Sequence, residues 1–198
     1  ILQLTQLPHN LTLNPTFDEL QPRVFIRKSA PYNPKKRDRL YQLVDFYTLF
    51  YLRFVEDHDP VDGQQWLNAI DHPSRRAWSG YTFERVCWYH LPQIKQALGI
   101  AGVYSQSSNW RNTEAQIDLL IDRRDQVINV CEMKFSIAPF TITKQYAEQL
   151  LAKVEAFRSA TQTNKALYLT FLTTKGLVDN NWSKQLAQYS ITMDALFE

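Results

Sequence analysis

Hydrophobic positions recur along the chain with two different periods, and these periods predict the order of helices and strands. From residue 79 to 90, apolar side chains recur about every 3.6 residues, which predicts a helix. Pro92 is unsuited to a helix interior, so we expect a kink there or a second helix that begins with it. Apolar stretches at residues 103–107, 115–122 and 127–135 are typical of three short strands.

The C-terminal part of the chain repeats these two patterns. A second amphipathic helix is predicted over residues 143–159 and a β-branched strand over 167–174. A last strand is expected at 186–193, followed by a tail at 194–198. Strands joined by short turns and then by a helical crossover predict an α/β domain, a mixed sheet flanked by helices, for residues 63–198.

The N-terminal part, residues 1–62, has a different pattern. One helical turn is predicted at 16–20, two strands at 24–26 and 40–44, and a helix at 45–55. Two strands around a basic loop resemble the wing of a winged helix. We therefore expect a partial winged-helix-like segment followed by a linker.

Composition adds few constraints. Apolar content of 44% and charged content of 21% are ordinary for a globular protein, and no apolar run is long enough to span a bilayer. Cys87 and Cys131 lie among apolar neighbours, so we expect buried free thiols in a reducing, cytoplasmic compartment. The chain begins with Ile1 and its methionines are Met133 and Met193, so we expect it to be part of a longer protein.

Basic residues are concentrated near the start of the chain, where Lys35, Lys36 and Arg37 lie within the predicted loop between the first two strands. Such a block can bind the phosphate backbone of a nucleic acid. A solvated turn is the equally weighted alternative.

Three charged residues interrupt the apolar central strands. Asp118 lies within 115–122, and Glu132 and Lys134 lie within 127–135. An unpaired carboxylate in a buried strand costs several kcal/mol, and one lysine neutralises only one of two acids. Carboxylates are the ligands that Mg²⁺ prefers, so the pattern favours a divalent cation, Mg²⁺ or Mn²⁺.

The strand pattern makes a geometric prediction. Strand 115–122 is predicted to be apolar on one face through Ile117, Leu119 and Ile121, which places Asp118 on the other face. Asp118 then faces Glu132 only if the hairpin loop holds an odd number of residues or the strand has a bulge. We predict a three-residue loop over residues 124–126, or its bulged equivalent.

Glu84 adds a third carboxylate, at the edge of the apolar arc of the first long helix. A helix Glu, a strand Asp and then Glu-x-Lys on the next strand resemble the PD-(D/E)XK, or restriction-endonuclease-like, nucleases (αβββαβ core). From about residue 20 onward, the chain is similar to the C-terminal part of a family of predicted bacterial and archaeal AAA-type ATPases, in which a winged helix precedes a nuclease-like domain. The matching stretches are residues 40–47, 78–84 and 116–135, and Gly176-Leu177-Val178.

The resemblance implies a set of roles. Glu84, Asp118 and Glu132 would bind magnesium, and Lys134 would orient the attacking water or help to deprotonate it. Gln149 and Lys153, which flank the apolar arc of the next helix, would contact the phosphate, whereas Tyr146 is expected to be a core residue.

Several interpretations stay open from the sequence. The leading one is a metal-dependent DNA phosphodiesterase attached to an ATPase domain of the same longer chain. The second is a non-catalytic DNA-binding or protein-binding module that regulates that ATPase, and a third is a structural dimerisation or autoinhibitory domain. At the level of the motif, Glu132 and Lys134 alone could be an exposed salt pair on an edge strand, and Glu84 alone a solvated helical residue.

Overall fold

In a computed structural model, the structure describes residues 25–29, 31–33, 40–56 and 72–198. These residues belong to two compact units, of which residues 25–29 and 40–56 form one, and residues 31–33 and 72–198 form the other. The elements of the first are β1 (Ile26–Ser29), β2 (Leu40–Leu43) and α1 (Phe46–Phe54). Those of the second are α2 (Pro73–Tyr89), α3 (Leu91–Ala97), β3 (Ser105–Arg111), β4 (Gln116–Arg123), β5 (Val127–Lys134), α4 (Lys144–Thr161), β6 (Ala166–Thr173), α5 (Asn181–Leu186) and β7 (Tyr189–Thr192), with a 3-10 turn at Met193–Leu196.

The first unit contains an antiparallel strand pair followed by a helix. β1 and β2 pair from Ile26 opposite Leu43 onward, and Asp45 caps α1 by accepting a hydrogen bond from the Thr48 backbone N–H at 2.6 Å. The two predicted strands and the helix are therefore confirmed, although β1 begins two residues later than the pattern predicted. The predicted turn at 16–20 lies outside the described residues.

The second unit is built on a five-stranded mixed sheet in which the strands follow in chain order, from β3 to β7. β3, β4 and β5 are antiparallel neighbours, whereas β5, β6 and β7 run parallel. The parallel step from β5 to β6 needs a crossover, and α4 provides it. The predicted α/β class and the mixed sheet flanked by helices are confirmed.

Helices cover both faces of this sheet. On one face, Phe83 and Cys87 of α2 and Ile94 of α3 pack with Leu119 and Met133 of the sheet. On the other, the buried apolar residues of α4 pack against the opposite side of the same strands: Ala147, Leu150 and Phe157. β5 is the central strand and is covered on both faces, so a charged side chain within it is desolvated and needs a partner.

A bulge in β4 corrects the predicted strand pattern. Ser108 pairs with Leu120 and Trp110 with Ile117, so Asn109 alone lies opposite the two residues Asp118 and Leu119. The extra residue turns the strand by one face. Consequently Ile117 packs on the α4 side, whereas Leu119 packs on the α2 side, and the prediction that both share one face was wrong.

The elements of the C-terminal segment differ from the prediction more than the central strands do. The segment expected to be one strand over 186–193 is the end of α5 followed by β7, because Asn180 and Ser183 form a reciprocal capping box that begins a helix. Part of the predicted tail forms the 3-10 turn. The second helix expected near Pro92 exists as α3, with the proline in its first turn.

A further expectation concerns the two cysteines. Cys87 and Cys131 are both free and buried, as predicted, and burial raises the pKa of the Cys87 thiol to about 12 and that of Cys131 as well. Within the described residues, no helix combines the length and apolar character needed to cross a membrane.

Candidate functional site

The hairpin of β4 and β5 carries two of the predicted acids, Asp118 and Glu132. β4 ends at Arg123 and β5 begins at Val127, so residues 124–126 form the predicted three-residue loop. Gln126 has a left-handed backbone (φ 67°), as is common at the end of such loops. The strand pairs run from Asp122 opposite Ile128 to Leu119 opposite Cys131, and Asp118 and Glu132 are the next residues of the two strands. The predicted loop length is confirmed, and the pairing of Asp118 with Glu132 stays a prediction.

Glu132 is the most enclosed acid of the site, with 8% of its surface exposed. Its Oε1 accepts a hydrogen bond from the Tyr146 hydroxyl at 2.5 Å and lies 3.1 Å from Lys134 Nζ. Its Oε2 accepts from Lys153 Nζ at 2.7 Å. Because β5 is central and Glu132 is buried, the alternative of an exposed edge-strand salt pair is wrong.

Opposing effects act on the pKa of Glu132. Burial raises it, but Lys153 and Lys134, together with the hydrogen bonds from Lys153 and Tyr146, outweigh burial and hold the pKa below its ordinary value. Burial also raises the pKa of the Tyr146 phenol, as do the charge of Glu132, the hydrogen bond to it, and Asp118. Glu132 is thus ionised and Tyr146 is a hydrogen-bond donor at neutral pH.

Asp118 is one of the two β4 residues at the bulge and is half-buried. Gln116 Nε2 donates a hydrogen bond to Asp118 Oδ1 at 2.5 Å. The charge of Asp118 raises the pKa of Glu84 on α2 and also that of Tyr146 on α4. The bulge therefore lets one carboxylate act on groups from both covering layers.

Glu84 is the acid whose pKa departs furthest from its ordinary value. Burial is the largest cause, followed by Asp118, and Glu132 adds to the shift, whereas Lys134 and Lys153 oppose it. The pKa rises from 4.5 to about 7 as a result. Glu84 is half-buried on α2, so it is not a fully solvated helical residue.

The charge balance of the cluster adds to the effect of burial. Asp118 and Glu132 both raise the pKa of Glu84, and the lysines that oppose them are Lys134 and Lys153. With all five ionised, one negative charge is left over, and it is removed when Glu84 takes up a proton. A cation near Glu84 and Asp118 would remove it in another way.

The donor set matches a hard divalent cation in kind, since carboxylate oxygens are the ligands that such ions prefer. In the arrangement described, however, both oxygens of Glu132 are engaged by protein donors. Among residues 25–29, 31–33, 40–56 and 72–198, no three histidine, cysteine, aspartate or glutamate side chains lie close enough to hold a metal ion. Glu132 could therefore bind a cation only after Lys153, or Tyr146 and Lys134, gave way, and Gln116 engages one oxygen of Asp118.

The remaining predicted residues have varied outcomes. Lys153, expected to contact a phosphate, forms an ion pair with Glu132 instead, and Gln149 is exposed on α4. Tyr146 packs against the core, as expected, and its hydroxyl also donates a hydrogen bond to Glu132. Its spacing of seven residues from Lys153 places both on one side of α4, a signal that was available in the sequence. The basic loop of Lys35, Lys36 and Arg37 lies outside the described residues.

Comparison with protein-family models, with curated proteins and with solved structures gave no significant match to this chain.

The raised pKa of Glu84 gives a pH-dependent stability prediction. Between pH 4.5 and about 7 the folded protein keeps a proton on Glu84 that the unfolded chain loses, so stability falls as pH rises through this window. Glu84→Gln removes the free-energy cost of ionising this partly buried carboxyl. In EDTA at pH 8 we expect the variant to be more stable by about 1–2 kcal/mol, a value reduced for solvent screening because Glu84 is only partly buried.

Urea unfolding at pH 5 and pH 8 measures this difference, which we expect to be small at pH 5. Glu148→Gln is a matched control, because the Glu148 side chain on α4 is 63% exposed and pairs with Lys144 only at 4.0 Å. Equal gains in stability at both pH values would show that Glu84 titrates normally.

Proposed function

We propose that the second unit is a metal-dependent DNA phosphodiesterase domain of the PD-(D/E)XK type, with Asp118, Glu84 and Glu132 as metal ligands. The observation that supports the proposal is that Asp118 and Glu132 both act electrostatically on the half-buried Glu84, while Lys134 of the Glu-x-Lys pair lies 3.1 Å from Glu132 and one negative charge is in excess. A purely structural ion-pair network would be expected to balance its charges, because an excess buried charge costs stability. A site that takes up a cation has a reason to keep the excess.

The residues around the proposed metal ligands have separate roles in this proposal. When bound, Mg²⁺ or Mn²⁺ stabilises charge on the scissile phosphate and lowers the pKa of a bound water. Lys134, whose side chain is 32% exposed, orients the attacking water or helps to deprotonate it. Lys153 and Tyr146 hold the Glu132 carboxylate from α4 and so fix its direction.

The direct test is incubation of the 198-residue chain with plasmid and single-stranded DNA in Mg²⁺, in Mn²⁺ and in EDTA. We expect cleavage with either metal and none in EDTA. Intact DNA under all conditions, together with no heat of metal binding by calorimetry, would reject the enzyme.

One observation favours a second candidate, a non-catalytic DNA-binding or protein-binding module that regulates an attached ATPase domain. Protein donors already engage both oxygens of Glu132, and such saturation is typical of an ion-pair network that stabilises a fold. If salt-sensitive DNA binding occurs without metal binding or cleavage, this candidate replaces the first. Neutralising Lys35, Lys36 and Arg37 then tests whether the basic loop supplies the contact.

A further inference from the structure

The segment directly after Lys134 presents an apolar surface to solvent next to the candidate site. Ile137 is 87% exposed and Phe135 is 44% exposed. The Phe135 ring also contacts Phe83 edge-on, with the ring centroids 6.4 Å apart. Ile137 is three residues from Lys134, so chain length alone keeps it within about 11 Å of that residue.

Hydrogen bonds fix this loop, defined as residues 135–139, at both ends. The Ser136 N–H donates to Thr174 Oγ1 at 2.8 Å, and the Thr174 hydroxyl donates back to the Ser136 carbonyl. The Ser136 hydroxyl in turn donates to the Ala138 carbonyl at 2.6 Å, and the Phe140 N–H donates to the Gly176 carbonyl at 2.8 Å. Ile137 is therefore held outward by a bonded loop, which distinguishes it from an incidental exposed side chain.

Positive charge lies beside the loop. Lys175 is exposed and follows Thr174, the residue whose hydroxyl is bonded to Ser136. Lys144 begins α4 at the far end of the same connection, and its side chain is 76% exposed. An apolar side chain flanked by lysines is complementary to a nucleic-acid strand, in which apolar bases alternate with phosphates.

We propose that the 135–139 loop receives an unpaired base, with Ile137 against the base and Lys175 on a neighbouring phosphate. The favoured substrate of the adjacent site is then single-stranded DNA or a strand with an unpaired end, because exposing a base of a continuous duplex to Ile137 costs a few kcal/mol of unstacking and an unpaired base avoids most of that cost. This inference rests on the proposed function and adds the class of substrate.

The test measures binding in EDTA, where metal-dependent cleavage is blocked. Fluorescence anisotropy compares a labelled single strand with its blunt duplex for the full chain, for Ile137→Ser and for Leu151→Ser. Leu151 is a matched control because it is an apolar residue on α4 that is 49% exposed. We expect Ile137→Ser to bind the single strand about fivefold more weakly, at the low end of losses seen when a base-stacking side chain is removed. Duplex affinity and the Leu151→Ser protein should be unchanged.

Two further readouts identify the contact. With 2-aminopurine in the single strand, wild type should increase the fluorescence by separating the base from its neighbours, and Ile137→Ser should not. Lys175→Gln should weaken single-strand and duplex binding to the same extent and lower the salt dependence by about one phosphate contact.

The outcomes separate this inference from the proposed function. An effect of Ile137→Ser on single-strand binding without metal-dependent cleavage by wild type would retain the base-binding loop and reject the enzyme. Metal-dependent cleavage, together with identical single-strand binding by wild type and Ile137→Ser, would retain the enzyme and reject the base-binding loop. Self-association of wild type that Ile137→Ser abolishes, with no change in DNA affinity, would assign the loop to contact between copies and overturn the inference.

Discussion

Asp118→Ala is expected to reduce Mg²⁺-dependent DNA cleavage to the rate seen in EDTA, and Lys134→Ala to reduce it by at least about 100-fold. The two losses have different causes. Asp118 is a metal ligand in this account, so its removal also weakens metal binding. Lys134 acts on the attacking water, so its variant should still bind metal and should be limited in kcat.

Calorimetric titration with Mn²⁺ separates the two variants. Lys184→Ala is the matched control, because the Lys184 side chain is 66% exposed and belongs neither to the cluster nor to the 135–139 loop. It should cleave like wild type if single-stranded DNA is saturating. Full activity of Asp118→Ala would contradict the assignment of Asp118 as a metal ligand.

Glu132→Ala is expected to lower the free energy of unfolding by about 2–4 kcal/mol in the absence of metal. The change leaves Lys153 and Tyr146 without the acceptor that each now contacts, and it leaves a cavity in the central strand. The cost should fall below that of a fully buried pair, because the side chains of Lys153 and Lys134 are 23% and 32% exposed.

Urea unfolding at pH 7 measures this loss. Asp179→Ala is the control: Asp179 pairs with Lys184 at 3.1 Å, but both side chains are more than 60% exposed, so about 0.5 kcal/mol or less is expected. Glu132→Gln should lie between the two, since it keeps the shape and an acceptor for Tyr146. A Glu132→Ala protein as stable as wild type would mean that the carboxylate is not a buried partner of both helix residues.

The hairpin register could be predicted because it depends on local counting. The number of loop residues fixes which residues of β4 and β5 pair beside the turn, and the loop has the predicted three. The element order could likewise be read from apolar periods, because long helices and buried strands have clear patterns.

The bulge and the second lysine depend on contacts far apart in the chain, and local patterns do not determine these. The run Leu119-Leu120-Ile121 breaks strict alternation, which is a sign of burial on both faces, but it does not show where the extra residue lies. Similarly, a helical wheel places Tyr146 and Lys153 on one side of α4 without identifying the strand residue that they meet. That residue is Glu132. The sequence predicted Lys134 as the lysine that neutralises the strand acids, and the second lysine, Lys153, is identified by its contact with Glu132 in the structure.

Proton release on metal binding tests the central claim, that a divalent cation replaces the proton of Glu84. Calorimetry of Mg²⁺ or Mn²⁺ binding in two buffers of different ionisation enthalpy gives the number of protons released. Because the pKa of Glu84 is about 7, we expect close to one proton at pH 6, almost none at pH 8.5, and none at either pH from Glu84→Gln. Absence of binding, or equal release from wild type and Glu84→Gln at pH 6, would contradict the account.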